Sequence, residues 1–238
     1  MNWLNKIPIA HRGLHDLEVP ENSLGAFKSA IDLNYIIELD VRLTKDRKVV
    51  VFHDIETSRL VDRNLKINEA NLNELEELSL KGSSFKIPSL KTVLEFVNGR
   101  VPLLIEVKNE TNVGALENEL VKILDGYKGE FALQSFNPLS LKYISRVRPD
   151  FKIGLLVGSF SKSKLPLLKK IFLKYMLLTP YLRPDFFSIE YGVNIWMQKS
   201  MLKIYNDRPI LYWTIKNKEI ASELIKKGHG VIFEGFKI

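Results

Sequence analysis

The sequence predicts an α/β protein, a (β/α)8 TIM barrel formed as a single domain over residues 1–238. Three observations carry this. Eight short β-rich runs alternate with stretches of helical character. Their starts lie 21 to 33 residues apart, with one gap of 66, close to the roughly 30 residues that a βαβ unit needs to return a parallel strand to its neighbour. A chain of 238 residues is also near the length at which such a barrel exists as one unit.

In chain order the expected strands are Ile7 to Arg12, Ile36 to Thr44, Pro102 to Lys108, Phe131 to Phe136, Lys152 to Val157, Asp185 to Tyr191, Arg208 to Ile215 and Gly230 to Phe236. The long gap holds a further strand, Val49 to Asp54, reached through the turn-forming stretch Lys45-Asp46-Arg47. Residues 55–87 then read as a small insertion, polar and irregular, with a short helical patch at Asn71 to Ser79. It is expected to cap the barrel mouth near the substrate. Pro88, just ahead of SLKTVLEFV, marks the start of the next regular helix. The sequence stops two residues after the last strand, so the eighth covering helix is expected to be missing or truncated.

Residues 161–184 are rich in Leu, Ile, Phe and Tyr and carry Lys162, Lys164, Lys169, Lys170, Lys174 and Arg183. They read as the fifth barrel helix, with its apolar residues on the sheet and its lysines in solvent. Any membrane contact through that basic ridge is expected to be weak, peripheral and electrostatic.

Composition bounds the function classes. The 45% hydrophobic and 26% charged content is that of an ordinary packed domain. The absence of cysteine excludes disulfides, thiolate metal sites and cysteine nucleophiles, so a metal would be held by oxygen or imidazole. No apolar run reaches the 18 or so residues of a spanning helix, the N-terminal run is too short and polar for a signal-peptide core, and the chain reads as cytoplasmic. A net charge of +7 favours anionic partners. Nucleic acid is not among those expected, because no stacking aromatics are interleaved with the basic residues.

The residues that carry chemistry sit at strand ends. In IIELDVRLT, Glu38, Asp40 and Arg42 alternate with Ile37, Leu39 and Val41, so two carboxylates share the face that a barrel turns inward. Two inward carboxylates repel one another unless a hard divalent cation sits between them. PLLIEVK repeats the pattern with Glu106 and Lys108. Glu106 can complete a three-carboxylate site, and Lys108 beside it can neutralise a phosphate oxygen. A buried salt-bridge layer suits either strand alone equally well. Two of the four histidines, His11 in IAHRG and His53 in VVFHD, close strands, where barrel enzymes do their chemistry and where imidazole can both take and give a proton.

The succession HRG, PENS, ELD, VVFHD, LIEVK, LQSFNP and YWTIKNKE resembles the glycerophosphodiester phosphodiesterase family in wording and order, over essentially the whole chain. The resemblance implies a TIM barrel in which Glu38, Asp40 and Glu106 bind one divalent cation, Mg²⁺ or Ca²⁺. It places His11 and His53 beside the scissile phosphate, Arg12 on phosphate oxygens and Glu21 in the same pocket. Lys108, Gln134 and Trp213 would surround the phosphate and glycerol. The implied reaction is metal-dependent hydrolysis of a small-molecule glycerophosphodiester to glycerol 3-phosphate and an alcohol. The same set used on lysophospholipids at a membrane surface, and a non-catalytic phosphoester-binding barrel, are the alternatives. One departure is visible: the last strand reads GVIFEGFKI, with Glu234 where the family has a Thr-Asp pair followed by a helix.

Overall fold

Eight parallel strands close into a barrel: β1 (Ile9–Ala10), β2 (Ile36–Leu43), β4 (Leu103–Val107), β5 (Phe131–Ser135), β6 (Ile153–Val157), β7 (Phe186–Glu190), β8 (Ile210–Ile215) and β9 (Gly230–Phe233). Neighbours follow chain order around the ring, and β1 closes it by pairing with both β9 and β2. The remaining strand, β3 (Val49–Val51), runs antiparallel to the outer part of β2. This computed structural model describes residues 3–109, 112–159, 177–193, 203–205 and 207–238.

The described helices are α1 (Leu24–Asp32), α2 (Leu72–Glu76), α3 (Leu90–Val97), α4 (Ala115–Asp125), α5 (Pro138–Val147), α6 (Thr179–Leu182) and α7 (Lys218–Lys226). Capping side chains set several starts. Ser23 accepts from the Ala26 N–H ahead of α1, Ser89 from Thr92 ahead of α3 and Asn137 from Leu139 ahead of α5, where Pro138 takes the first position and gives up no hydrogen bond.

The alternation along the strands divides the core in two. Ile37, Leu39 and Val41 of β2 join the large cluster between sheet and helices, with Phe27 of α1 and Leu90 and Val93 of α3. The opposite face fills the barrel. Ile9, Ile36, Leu104, Ala132, Phe186, Leu211 and Ile232 form an apolar floor with Trp3 and Leu4, and the Phe186 ring occupies the place of a side chain at Gly154, whose Cβ would meet that ring at 2.1 Å. Two residues further along β2, β4 and β5 stand Glu38, Glu106 and Gln134. Asp40, Glu106 and Gln134 are in register across the three strands. The same interior face thus changes from apolar to polar toward the C-terminal ends of the strands.

All eight barrel strands fall where the sequence puts them, but β1 is shorter than the expected Ile7 to Arg12 and β9 than the expected Gly230 to Phe236. After β1 the chain leaves the sheet at Arg12 (φ 55°) and Gly13 (φ 79°), both in the left-handed region that favours glycine. A Cβ at Gly13 would lie 2.8 Å from the Ala26 Cβ, so α1 packs directly on this turn. The insertion is more ordered than its polar composition suggests. Val61, Ile67, Ala70, Leu75, Leu80 and Ile87 form a separate apolar cluster with Val50 and Phe52, and the expected helix at 71–79 is the shorter α2. Residues 234–238 after β9 form no helix: Phe236 and Ile238 pack against the main core and Tyr35 Oη donates to the Ile238 carbonyl at 2.5 Å. The expected helix over 161–184 falls largely outside the described residues, and 177–184 holds α6. No described helix is long and apolar enough to cross a membrane.

Candidate active site

Glu38 and Asp40 of β2 and Glu106 of β4 are buried side by side, each offering one oxygen within 4.8 Å of the others. Oxygen ligands on one Mg²⁺ or Ca²⁺ lie about 2.0–2.6 Å from the ion, hence at most roughly 4–5 Å from each other, so the spread fits a single hard cation. Burial, with Asp40 and Glu106 alongside, pushes Glu38 well above the usual carboxylate range. Asp40 goes the other way: burial would raise it, but Lys108, His53 and Arg12 together outweigh that and hold it well below. Lys108 Nζ lies 2.6 Å from Glu106 and 3.2 Å from Asp40, and Arg12 Nε lies 3.4 Å from Asp40. Two cations thus face three carboxylates, a mismatch that a divalent ion would reverse, leaving the positive surplus that suits a phosphodiester anion.

Both histidines reach the triad along the same edge of β2. The turn after β1 returns the Gly13 N–H to the Glu38 carbonyl at 3.2 Å, and the chain leaving β3 donates the Phe52 N–H to the Asp40 carbonyl at 3.0 Å. His11 and His53 therefore converge from opposite chain directions on the two residues whose side chains open the acidic site. Arg42 supports the second approach, its Nε donating to the His53 carbonyl at 2.8 Å. Each imidazole carries a carboxylate on Nδ1: Glu234 on His11 and Asp54 on His53, both at 2.7 Å. In each ring Nε2 is the nitrogen left for a substrate.

The insertion contributes directly. Arg59 makes two bonds to Glu21, at 2.7 and 2.8 Å, and one to Asp54 at 2.6 Å. Glu21 in turn accepts from Arg12 at 2.7 Å. Burial would raise Glu21, yet the Arg59 and Arg12 contacts win and lower it. Asp54 is likewise held well below the usual carboxylate range, hydrogen bonds from His53 and Arg59 overcoming its burial. One guanidinium thus ties the support of Arg12 to the support of His53.

Of the residues predicted from sequence, His11, Arg12, Glu38, His53, Glu106, Lys108, Gln134 and Trp213 line one cavity of about 100 Å³. Asp40 lies just beneath, bonded to Lys108 and Arg12, and Glu21 stands behind Arg12 instead of on the lining. Gln134 is buried with its Oε1 lacking a hydrogen-bond partner, as expected of a group that binds a ligand. Trp213 donates Nε1 to the Ser188 carbonyl at 3.0 Å and meets the Phe136 ring edge to face, so it presents an apolar wall.

Asn22, Asp54, Arg59 and Glu234 were not singled out as site residues by the sequence. Asn22 sits in the left-handed region (φ 56°) and donates to Asp40 Oδ2 at 2.9 Å. A position of that kind at a buried carboxylate marks a backbone shaped around the site. The signals for Asn22 and Asp54 lay in PENS and VVFHD, each next to a residue already chosen. Arg59 has no local signal, since its partners are 38 and 5 residues away.

Comparison with known proteins agrees with this geometry. Residues 11–232 match the glycerophosphoryl diester phosphodiesterase family. A glycerophosphodiester phosphodiesterase of Caldanaerobacter subterraneus subsp. tengcongensis is 30% identical over 236 residues, covering 94% of this chain and 92% of its own. Among solved structures, the glycerophosphodiester phosphodiesterase of Thermotoga maritima superposes with a TM-score of 0.74 at 27% identity, covering 95% of this chain and 94% of its own. An Oleispira antarctica phosphodiesterase in complex with the product sn-glycerol-3-phosphate shares the fold, with a TM-score of 0.80 at 24% identity over 96% of this chain and 92% of its own. By sequence match and by barrel architecture, this chain belongs to the glycerophosphoryl diester phosphodiesterase family.

Proposed function

We propose that the chain is a phosphoric diester hydrolase that cleaves glycerophosphodiesters to glycerol 3-phosphate and an alcohol, with His11 and His53 as an acid-base pair. The observation that carries this is the shared cavity: two imidazoles, each with a carboxylate on Nδ1, open onto the same space as Glu38 and Glu106 of the buried acidic triad and two cationic side chains. Glu38, Asp40 and Glu106 would hold one Mg²⁺ or Ca²⁺, which when bound supplies Lewis-acid polarisation of a phosphoryl oxygen. Arg12 and Lys108 supply the fixed positive charge for the other oxygens. Gln134 would accept from a glycerol hydroxyl, and the Trp213 and Phe136 rings would exclude water from one side. The family match over residues 11–232 supports the expectation that residues 1–238 work as one catalytic domain.

In this reading one histidine takes the proton of the attacking oxygen at Nε2 and the other gives a proton to the departing alkoxide. The nearest nucleophile in a glycerol ester is its own 2-hydroxyl, whose attack is effectively intramolecular and gives a cyclic 1,2-phosphate. Water then opens the ring with the two histidines exchanging roles. A non-catalytic barrel is disfavoured by the intact arrangement of both histidines and all three carboxylates. The lysophospholipid reading rests on residues 161–184, of which 177–184 are described.

The test is a screen of glycerophosphodiesters and lysophospholipids with Mg²⁺, Ca²⁺ and Mn²⁺, and with chelator. Cation-dependent release of glycerol 3-phosphate is expected; turnover of lysophospholipids alone would overturn the substrate assignment. Arg59→Ala should lower kcat/KM on the order of 10-fold, because it frees Glu21 and Asp54 together, and loss of such supporting bonds costs about 10–100-fold. An unchanged kcat/KM in that variant would show that the insertion does not order the site.

A further inference from the structure

His11 is set in place by the two strands beside it. Its backbone N–H donates to the Phe233 carbonyl at 3.0 Å, and the Glu234 N–H donates to the Ile215 carbonyl at 3.0 Å. The hydrogen-bond ladder of β1, β9 and β8 thus continues one residue past the strands and carries His11, Glu234 and Lys216 in a row. Glu234 Oε2 meets His11 Nδ1 at 2.7 Å, and Lys216 Nζ lies 3.0 Å from Glu234 Oε1. Each carboxylate oxygen has a different partner, so the group cannot turn without losing one of them. The hydrogen bond from His11 holds Glu234 well below the usual carboxylate range, with Lys216 adding to it and burial opposing; the group is an anion at neutral pH.

We propose that Glu234 is a positioning residue that fixes the tautomer and orientation of His11, with Lys216 locking the carboxylate in turn. This rests on the reading of His11 as one of the acid-base pair. With its proton held on Nδ1 by Glu234, His11 meets the substrate through the Nε2 lone pair. The proton taken from the attacking hydroxyl goes to Nε2 and is later given up from the same atom, while Glu234 keeps its charge and receives no proton. The role is favoured over a structural ion pair because the same construction recurs at His53, where Asp54 takes Nδ1 and Arg59 takes the other Asp54 oxygen.

The experiment compares Glu234→Gln, Glu234→Asp, Lys216→Met and His11→Ala by steady-state kinetics, with ¹⁵N NMR of the His11 ring. Glu234→Gln should lower kcat on the order of 10², within the range of acid-base and orienting groups, with KM unchanged because Glu234 does not touch substrate. Glu234→Asp should recover part of the loss. The ring should show the Nδ1–H form in the parent and a mixture of tautomers in Glu234→Gln. Lys216→Met, at an exposed side chain, should give a smaller fall in kcat and serves if Glu234→Gln proves unstable. Unchanged kcat and an unchanged ring spectrum in the Gln variant, or in Lys216→Met where that variant stands in, would overturn the proposal. If His11→Ala keeps its turnover, the acid-base reading fails; if it loses turnover while Glu234→Gln does not, this inference alone fails.

Discussion

Asp40→Asn and Glu106→Gln should each abolish cation-dependent phosphodiester hydrolysis while leaving the chain folded. Each change keeps the shape of the side chain and removes the charge that a hard divalent ion requires. The partners that remain, Lys108 for both and Asn22 for Asp40, can still bond an amide oxygen. A second readout does not depend on turnover. A ligand bound only by the folded state at 100 times its Kd raises stability by about 2.7 kcal/mol, so Mg²⁺ or Ca²⁺ should raise the Tm of the parent and not of either variant. Glu38→Gln should do more. Burial and its two acidic neighbours disfavour the Glu38 anion, so removing that charge should raise the Tm of the cation-free protein by roughly 2–4 °C per kcal/mol gained in a chain of this size. Full activity of the parent in chelator, or an undiminished cation-induced rise in Tm for Asp40→Asn, would sink the single-ion assignment.

The barrel was legible because its strands announce themselves. Most are short apolar runs buried on both faces, and parallel pairing follows from the spacing. The triad was legible for a related reason: a charged residue at every second position of an otherwise apolar buried strand, as in Glu38 and Asp40 of β2 or Glu106 of β4, has no ordinary place in a barrel interior. The register that puts Asp40 opposite Glu106 and Glu106 opposite Gln134 is the geometric consequence of closing that pattern into a ring.

What stayed hidden depends on long-range contact. Arg59 lies in a polar stretch whose local pattern says only loop, and its meaning arises when the insertion folds on its own small core of Val61, Ile67, Leu75 and Leu80 and swings the guanidinium over Glu21 and Asp54. Glu234 reads in the sequence as a departure and not as a partner, because its separation of 223 positions from His11 is closed by the β1–β9 pairing. β1 ends before the expected Arg12 for a local reason. His11, Arg12 and Gly13 continue an extended-looking run, yet the left-handed conformations at Arg12 and Gly13 end the strand and turn the Arg12 N–H onto Glu38 Oε2 at 2.9 Å.

His11→Ala and His53→Ala should each lower kcat by on the order of 10² to 10⁴, the usual size of a general acid-base contribution, while the cation-induced rise in Tm is kept. Neither imidazole belongs to the acidic triad, so removing one leaves the three oxygen ligands in place. The two losses should also fail to add, because both groups act in the same displacement and either absence leaves one proton transfer unassisted. Substrate chemistry provides the sharper arm. If the 2-hydroxyl of glycerol is the nucleophile, a substrate in which that hydroxyl is replaced by hydrogen should be cleaved far more slowly than its parent at equal occupancy. Intramolecular attack has effective molarities on the order of 10⁵ M or more in well-oriented systems, and water does not replace that advantage. A cyclic 1,2-phosphate supplied directly should be opened by the parent enzyme and not by either histidine variant. Near-normal turnover in either variant, or equal rates for the deoxy and natural substrates, would show that the displacement proceeds by another route, with a single base acting on water in the same cavity.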